Sequence, residues 1–189
     1  MSGNMSDSKI TTLSRTSIIL HWFASSMMLY MLFSGLLMER LEVEWFFDSH
    51  TSLGVGIIAI LIPRVAWRLI EGWPEPVGDY SPIEKHSGKI VHWLLMLSMV
   101  IMPLSGVAMS IAGGYGLHFF TLEIWPEAVV LNNPGEILVS FPNLRSFSET
   151  VHHIIGQYVL PVSLTLHVVG ALKHHIIDKD RTLLRMLGR

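Results

Sequence analysis

Hydrophobic positions in this chain do not alternate with polar ones; they run on uninterrupted. No Asp, Glu, Lys or Arg occurs from Thr16 to Met38, from Thr150 to Leu172 or from Ile90 to Leu122. A hydrocarbon core about 30 Å thick takes roughly 20 helical residues, so each run is long enough to predict a membrane-spanning helix. A fourth stretch is uncharged from Ser49 to Pro63 and continues through Val65, Ala66 and Trp67 around Arg64. It spans if Arg64 carries its guanidinium to the interface on its aliphatic stem. The pattern predicts an all-α, four-helix transmembrane bundle with spans near 17–38, 49–69, 90–111 and 151–172. These spans form a single domain over 16–189, after a short segment 1–15. The first run exceeds the roughly 7–15 residues of a signal-peptide core, and no small-residue cleavage site follows before Glu39, so it reads as a span.

The charges set an orientation. Lys9 and Arg15 precede the first span, and Arg64, Arg68, Lys85 and Lys89 surround the second connection. Lys173, Lys179, Arg181, Arg185 and Arg189 follow the last span. Eleven of thirteen basic residues thus fall on one side, which the positive-inside rule makes cytoplasmic, with both chain termini. The other side holds Arg40 and Arg145 among Glu39, Glu42, Glu44, Asp48, Glu123, Glu127, Glu136 and Glu149.

Two connections are long. Glu71–Lys85 carries Pro74, Pro76 and Pro82, which lack an amide donor and stop helices. Ala112–Glu149 carries Phe119, Phe120, Trp125, Phe141 and Phe147, and aromatics favour the headgroup level. That segment is expected to lie on the membrane as a cap, broken by Gly113, Gly114, Gly116 and the turn at Asn132–Gly135. No internal repeat is evident.

Composition narrows the chemistry. With 50% hydrophobic residues the chain is no disordered tail, and 15% charge is well below the roughly 25% of soluble domains. The absence of cysteine removes disulfides, thiolate clusters and cysteine nucleophiles. A net charge of −2 gives no support to a nucleic-acid partner.

Ten histidines remain, and several lie inside the spans, where polar groups are costly and face the bundle interior or a functional site. His21 lies six residues inside Arg15, and His167 six residues before Lys173, so their depths match near the inner side. His50 is two residues inside Asp48 and His153 four inside Glu149, both near the outer side. His153 and His167 are 14 residues apart, about 21 Å along a helix and only about 40° apart in azimuth. His152 is about 60° from His167, so spacing prefers His153 only mildly. Imidazole is a good iron ligand, and opposed imidazoles on facing helices bracket a haem with both axial positions filled, which favours electron transfer. Interhelical hydrogen bonding and a zinc site are the competing readings. Zinc is poorly supplied, with two ligands per level and no deep carboxylate. A histidine-gated channel is a third, and predicts a colourless protein. Arg64 suits a propionate or quinone head, because a guanidinium binds carboxylate bidentately. His92, His174 and His175 are further candidates near the same interface, against the plainer reading of interfacial or solvated histidines.

These residues resemble the bacterial cytochrome b561 family over nearly the whole chain, from about Arg15 to Leu187. The resemblance rests on Leu20-His21-Trp22, on His50-Thr51-Ser52-Leu53-Gly54 with Arg64 following, and on His92 with Pro103-Leu104-Ser105-Gly106. It continues through His153 and His167 to Ala171-Leu172-Lys173-His174-His175, Asp178 and Leu184-Arg185-Met186-Leu187. It implies a multi-pass protein of the bacterial inner membrane. Two haem b groups are implied, on His21 and His167 (inner) and on His50 and His153 (outer, with His152 as the alternative). It further implies exchange of electrons between ubiquinone and a periplasmic partner. The family includes a member resembling a superoxide oxidase and others that serve as cytochrome subunits. The doubled histidine at 152–153 and the aromatic outer loop depart from the simplest family pattern.

Overall fold

The computed structural model describes residues 13–41, 43–130 and 133–189. Lys9, Glu42 and Asn132 lie outside the described residues, as does the side chain of Glu39. Helix α1 (Arg15–Leu41) is followed by α2 (Glu44–Gly56) and α3 (Ile58–Glu71), then by α4 (Pro82–Gly113). Two short hairpins come next, β1 (Leu117–Phe119) with β2 (Leu122–Trp125) and β3 (Val129–Val130) with β4 (Asn133–Ile137). The chain returns through α5 (Pro142–Ile154), a π-helical turn (Ile155–Val159) and α6 (Leu160–Ile176), and ends in the short α7 (Thr182–Met186).

Arg15–Met38, Pro82–Gly113 and Pro142–Ile176 are each long and apolar enough to cross a membrane. The predicted second span is instead a bent pair, α2 and α3 meeting at 43°. Two causes coincide there. Gly56 leaves room for the Phe119 ring, whose Cε2 would stand 2.7 Å from any Cβ at that position. Further along, Pro63 removes a helical donor. The last span is also longer than the charge pattern predicted: Pro142–Glu149, expected in the loop, is already helical.

The packing is inverted relative to a soluble core. Buried positions include Ala24, Ser17, Ser34, Ser98, Ser105 and Ser163, whereas Phe23, Phe33, Leu104, Val162 and Leu166 face outward. Small residues let helices approach closely and large apolar ones suit lipid, the expected division for a membrane bundle. The buried apolar cluster is Ala24, Ile57, Leu61 and Met99, padded by Met27, Met28, Met31 and Ile60.

The fold also exposes a repeat that hydropathy alone conceals. Residues 21–38 of α1 and 92–109 of α4 share seven of eighteen positions: His21/His92, Trp22/Trp93, Met28/Met99, Met31/Met102, Ser34/Ser105, Gly35/Gly106 and Met38/Met109. Each is followed by a helix that carries His-x3-Gly, His50 to Gly54 and His152 to Gly156. The packing follows suit, α1 against α2 and α3, and α4 against α5 and α6. Uniform apolar sequence gives such a repeat little contrast, which is why it escapes a reading by composition.

Both ends of the bundle are tied. At the hairpin end, the Phe120 amide donates to Ser52 Oγ at 3.1 Å, anchoring the cap to α2. Gly114 ends α4 at φ 82°, a left-handed position that suits glycine. At the end where α1 begins and α6 finishes, the 72–81 loop is clasped by the C-terminal tail. Tyr80 Oη donates to the Asp180 carboxylate and lies 3.1 Å from Thr182 Oγ1. The Arg185 guanidinium donates to the Glu75 carbonyl at 3.2 Å, and Trp22 Nε1 to the Met186 carbonyl at 2.7 Å. Burial alone would raise the Asp180 carboxyl, but hydrogen bonds from Tyr80 and Thr182 hold it below its ordinary value.

Because its folded pKa is depressed, Asp180 contributes stability above about pH 3.9, the unfolded carboxylate value. That contribution is lost as pH falls through the folded value. Tyr80→Phe should cost about 1 kcal/mol in this partly exposed clasp, roughly 2–4 °C in thermal midpoint. The gap from the parent should narrow in melts run well below pH 4.

Candidate functional site: two imidazole pairs

The end where α1 begins and α6 finishes holds the first pair. Helix α1 supplies His21 and α6 supplies His167, with ring centroids 6.2 Å apart and planes at 53°. His92 of α4 stands edge-on to His167 at 5.0 Å and 88°. Its Nδ1–H donates to the Gly88 carbonyl at 2.7 Å, since a carbonyl can only accept. Trp73 closes this side, 5.8 Å from His92 and 5.5 Å from Trp93. The Arg68 guanidinium lies over Trp73 at 5.8 Å and donates to the Gly72 carbonyl at 2.8 Å.

Arg64 of α3 is the polar group left over. It lies close enough to His21 to act on it electrostatically. One guanidinium nitrogen of Arg64 is buried without a hydrogen-bond partner, whereas the indole N–H of Trp67, one helical turn away, has the Glu71 carboxylate within reach. An unsatisfied buried donor costs about 1–3 kcal/mol, more when charged, so the Arg64 nitrogen marks a place for an acceptor. A carboxylate suits it.

The hairpin end holds the second pair, and here the structure departs from the preference set by spacing. The ring facing His50 of α2 is His152, not His153, at 6.2 Å and 82°. His153 is exposed on a neighbouring face of α5, about 100° around the helix, beside Ser146, Glu149, Thr150 and Ile154. The π turn at Ile155–Val159 is the reason. A π turn carries one residue more than an α turn over the same arc, so His152 takes the azimuth that a uniform α-helix would give His153. Pro161 is the available signal: it has no N–H for the carbonyl four residues back, and an i→i+5 pattern accommodates that loss.

Both rings of this pair are fixed through Nδ1. His50 Nδ1 is 2.9 Å from Ser34 Oγ, and Ser34 in turn donates to the Met31 carbonyl at 3.2 Å. His152 Nδ1 is 3.0 Å from Ser105 Oγ and 3.1 Å from the Met102 carbonyl, to which Ser105 also donates at 2.9 Å. With carbonyls and committed hydroxyls around it, Nδ1 must carry the proton, which leaves Nε2 its lone pair. The glycines after these serines make room: a Cβ at Gly35 would stand 3.1 Å from His50 Cε1, and one at Gly106 3.4 Å from His152 Cε1.

The other candidates lie apart. His174 stacks on Tyr80 at 4.3 Å and pairs through Nδ1 with Asp178 (2.8 Å) and Asp180 (3.3 Å), within the clasp. Lys173 neutralises Asp178 at 2.8 Å, so this His–Asp–Asp group satisfies itself. His175 is exposed. Sequence reasoning missed Trp67, Arg68, Trp73 and the two serine–glycine steps, of which only the last leave a trace, as the repeat.

A transition metal binds imidazole nitrogen at about 2.0–2.1 Å, and that nitrogen lies roughly 1.1 Å from the ring centroid, so two axial imidazoles place centroids about 6.3 Å apart. Both pairs match. A neutral bis-imidazole donor set with a nearby unpaired guanidinium fits haem, an iron macrocycle with carboxylate arms. Fold and site together define a membrane cytochrome of the b type. The chain matches the family described as prokaryotic cytochrome b561 over residues 12–189, and it belongs to that family. It is 30% identical over 178 residues to cytochrome b561 homolog 2 of Escherichia coli (strain K12), covering 92% of this chain and 89% of that protein. It is 28% identical over 146 residues to probable superoxide oxidase CybB of Yersinia pestis (77% and 76% covered). With cytochrome b561 homolog 1 of E. coli the figure is 24% over 187 residues (93% and 97%). The family is one of transmembrane electron transfer on b-type haem.

The π turn makes a sharp register prediction. Deleting Val159 removes the extra residue and keeps His152 aligned, so bound haem should equal that of the parent. Deleting Thr165 should rotate His152 by about 100° relative to His167 and lower haem per chain. Equal loss in both variants would contradict the register.

Proposed function

We propose that this chain conducts electrons across the bacterial inner membrane through two b-type haems. One is held by His21 and His167 and the other by His50 and His152. The observation that carries the reading is the recurrence of one centroid spacing, 6.2 Å, in two imidazole pairs, one ring of each pair supplied by the last span and the other by α1 or α2. Held by the imidazoles of such a pair, haem would supply a reversible one-electron centre suited to electron transfer. The protein's own part is to hold the rings, exclude water with apolar side chains and balance charge. Arg64 donates to a carboxylate at the His21–His167 level. A propionate satisfies it, and a quinone head is the other acceptor in reach of the same region. Orientation follows the positive-inside rule, with both termini cytoplasmic, the clasp facing the cytoplasm and the hairpin cap facing the periplasm.

At the cytoplasmic end the exchange is with ubiquinone. At the periplasmic end two donors compete, superoxide and a redox protein. The relative named probable superoxide oxidase supports the first. The charge arrangement favours the second. An anionic substrate needs a positive local field, yet Arg145 is engaged by Glu149 at 4.0 Å and lies over the Tyr115 ring at 5.3 Å. Exposed Glu123, Glu127 and Glu149 leave the cap acidic, suiting a basic partner face.

His152→Ala should remove one haem per chain while His153→Ala leaves the content unchanged, read as the haem-to-protein ratio. His167→Ala should remove the other haem. In stopped flow, the acidic cap predicts reduction by superoxide no faster than spontaneous dismutation, and salt-sensitive reduction by a basic donor protein. Fast superoxide-driven reduction with ubiquinol formation would assign superoxide as the donor instead.

A further inference from the structure

The two halves of the chain build the His50–His152 pair with the same local device. In each half, a Met-x-x-Ser-Gly step on the long helix, Met31 to Gly35 and Met102 to Gly106, meets a histidine of the following helical stretch. The serine hydroxyl lies on Nδ1 at 2.9 Å in one half and 3.0 Å in the other. Both serines are buried, Ser34 at 0% and Ser105 at 7% exposure, and both donate to the methionine carbonyl three residues earlier. Among the described residues, neither His21 nor His167 has a hydrogen bond of this kind. The device therefore belongs to one level of the bundle.

We propose that Ser34 and Ser105 are positioning residues for the His50–His152 level, each accepting from the Nδ1–H of one histidine and so tuning the iron held between the two rings. This rests on the two-haem reading above. An acceptor on Nδ1–H raises the basicity of Nε2. A more basic axial nitrogen stabilises the ferric over the ferrous state, and lowers the potential of that haem. The same bonds, with Gly35 and Gly106 beneath the rings, lock the planes at 82°. Near-perpendicular axial imidazoles give ferric iron a strongly anisotropic low-spin EPR signal. The hydroxyls act on one iron from opposite faces, so their effects carry the same sign.

The test is a redox titration with EPR on purified, haem-loaded Ser34→Ala, Ser105→Ala and the double variant. Each single variant should retain two haems and shift one midpoint potential positive, leaving the other as an internal standard. The double variant should shift the same haem further, and the largest g value of that haem should move. No shift, a negative shift, or equal movement of both haems overturns the proposal. If an alanine variant loses the haem, the threonine variant decides. Retention with a parental potential in Ser34→Thr or Ser105→Thr supports the hydroxyl's role, and loss there too overturns it in favour of packing. Fewer than two haems in the parent protein would instead fail the reading on which this rests.

Discussion

Four imidazoles in an apolar bundle must be kept apart from lipid, kept neutral, and kept in facing pairs at one fixed separation. That requirement explains features that otherwise look unrelated. Helices carry small residues where they meet, so that their backbones approach closely and bring facing imidazoles to one separation. The last span carries a π turn, because its two histidines must share a face although a uniform helix would misplace one. Gly35 and Gly106 lack a side chain where an imidazole edge passes within van der Waals distance. Even the outward-facing phenylalanines follow, since a bundle filled with rings has little room for a conventional core.

The duplicated pattern adds a second layer. His50 and His152 are counterparts in the two halves and form a near-symmetric pair. Their level is closed by equivalent serines and glycines. The other level breaks the symmetry. His21 on α1 corresponds to His92 on α4, yet it is His21 that faces His167 at the 6.2 Å spacing, while His92 stands edge-on to His167. The half containing α3 offers Arg64 in the region where α6 offers His167. One level thus presents two matched imidazoles, and the other a pair flanked by an extra histidine and a guanidinium with one unpartnered nitrogen. Such asymmetry suits an end that handles a carboxylate or quinone as well as an electron.

Much of this was legible in the sequence, for physical reasons that are particular. Charges are expelled from hydrocarbon, so the runs beginning at Thr16, Ile90 and Thr150 announced three helices. The depths of His21 and His167 relative to Arg15 and Lys173 pointed to rings at one level. Azimuth was harder. The choice between His152 and His153 turned on about 20° of helical rotation, and the extra residue of π geometry outweighed it. The bend at Gly56 was hidden because it depends on Phe119, distant in the chain, packing where a side chain is missing. The two serines were hidden for a different reason: an isolated buried serine carries no signal until its partner is seen. Arg64 stands out in the sequence because it interrupts an apolar run, whereas the unpartnered state of its guanidinium nitrogen depends on the packing around it.

If each imidazole pair holds one haem, the ratio of haem to polypeptide in the purified protein measures it most directly. Two b-type haems per chain, both low-spin in the ferric state, is the predicted result. A single haem per chain, or a high-spin centre with an open axial position, would contradict it.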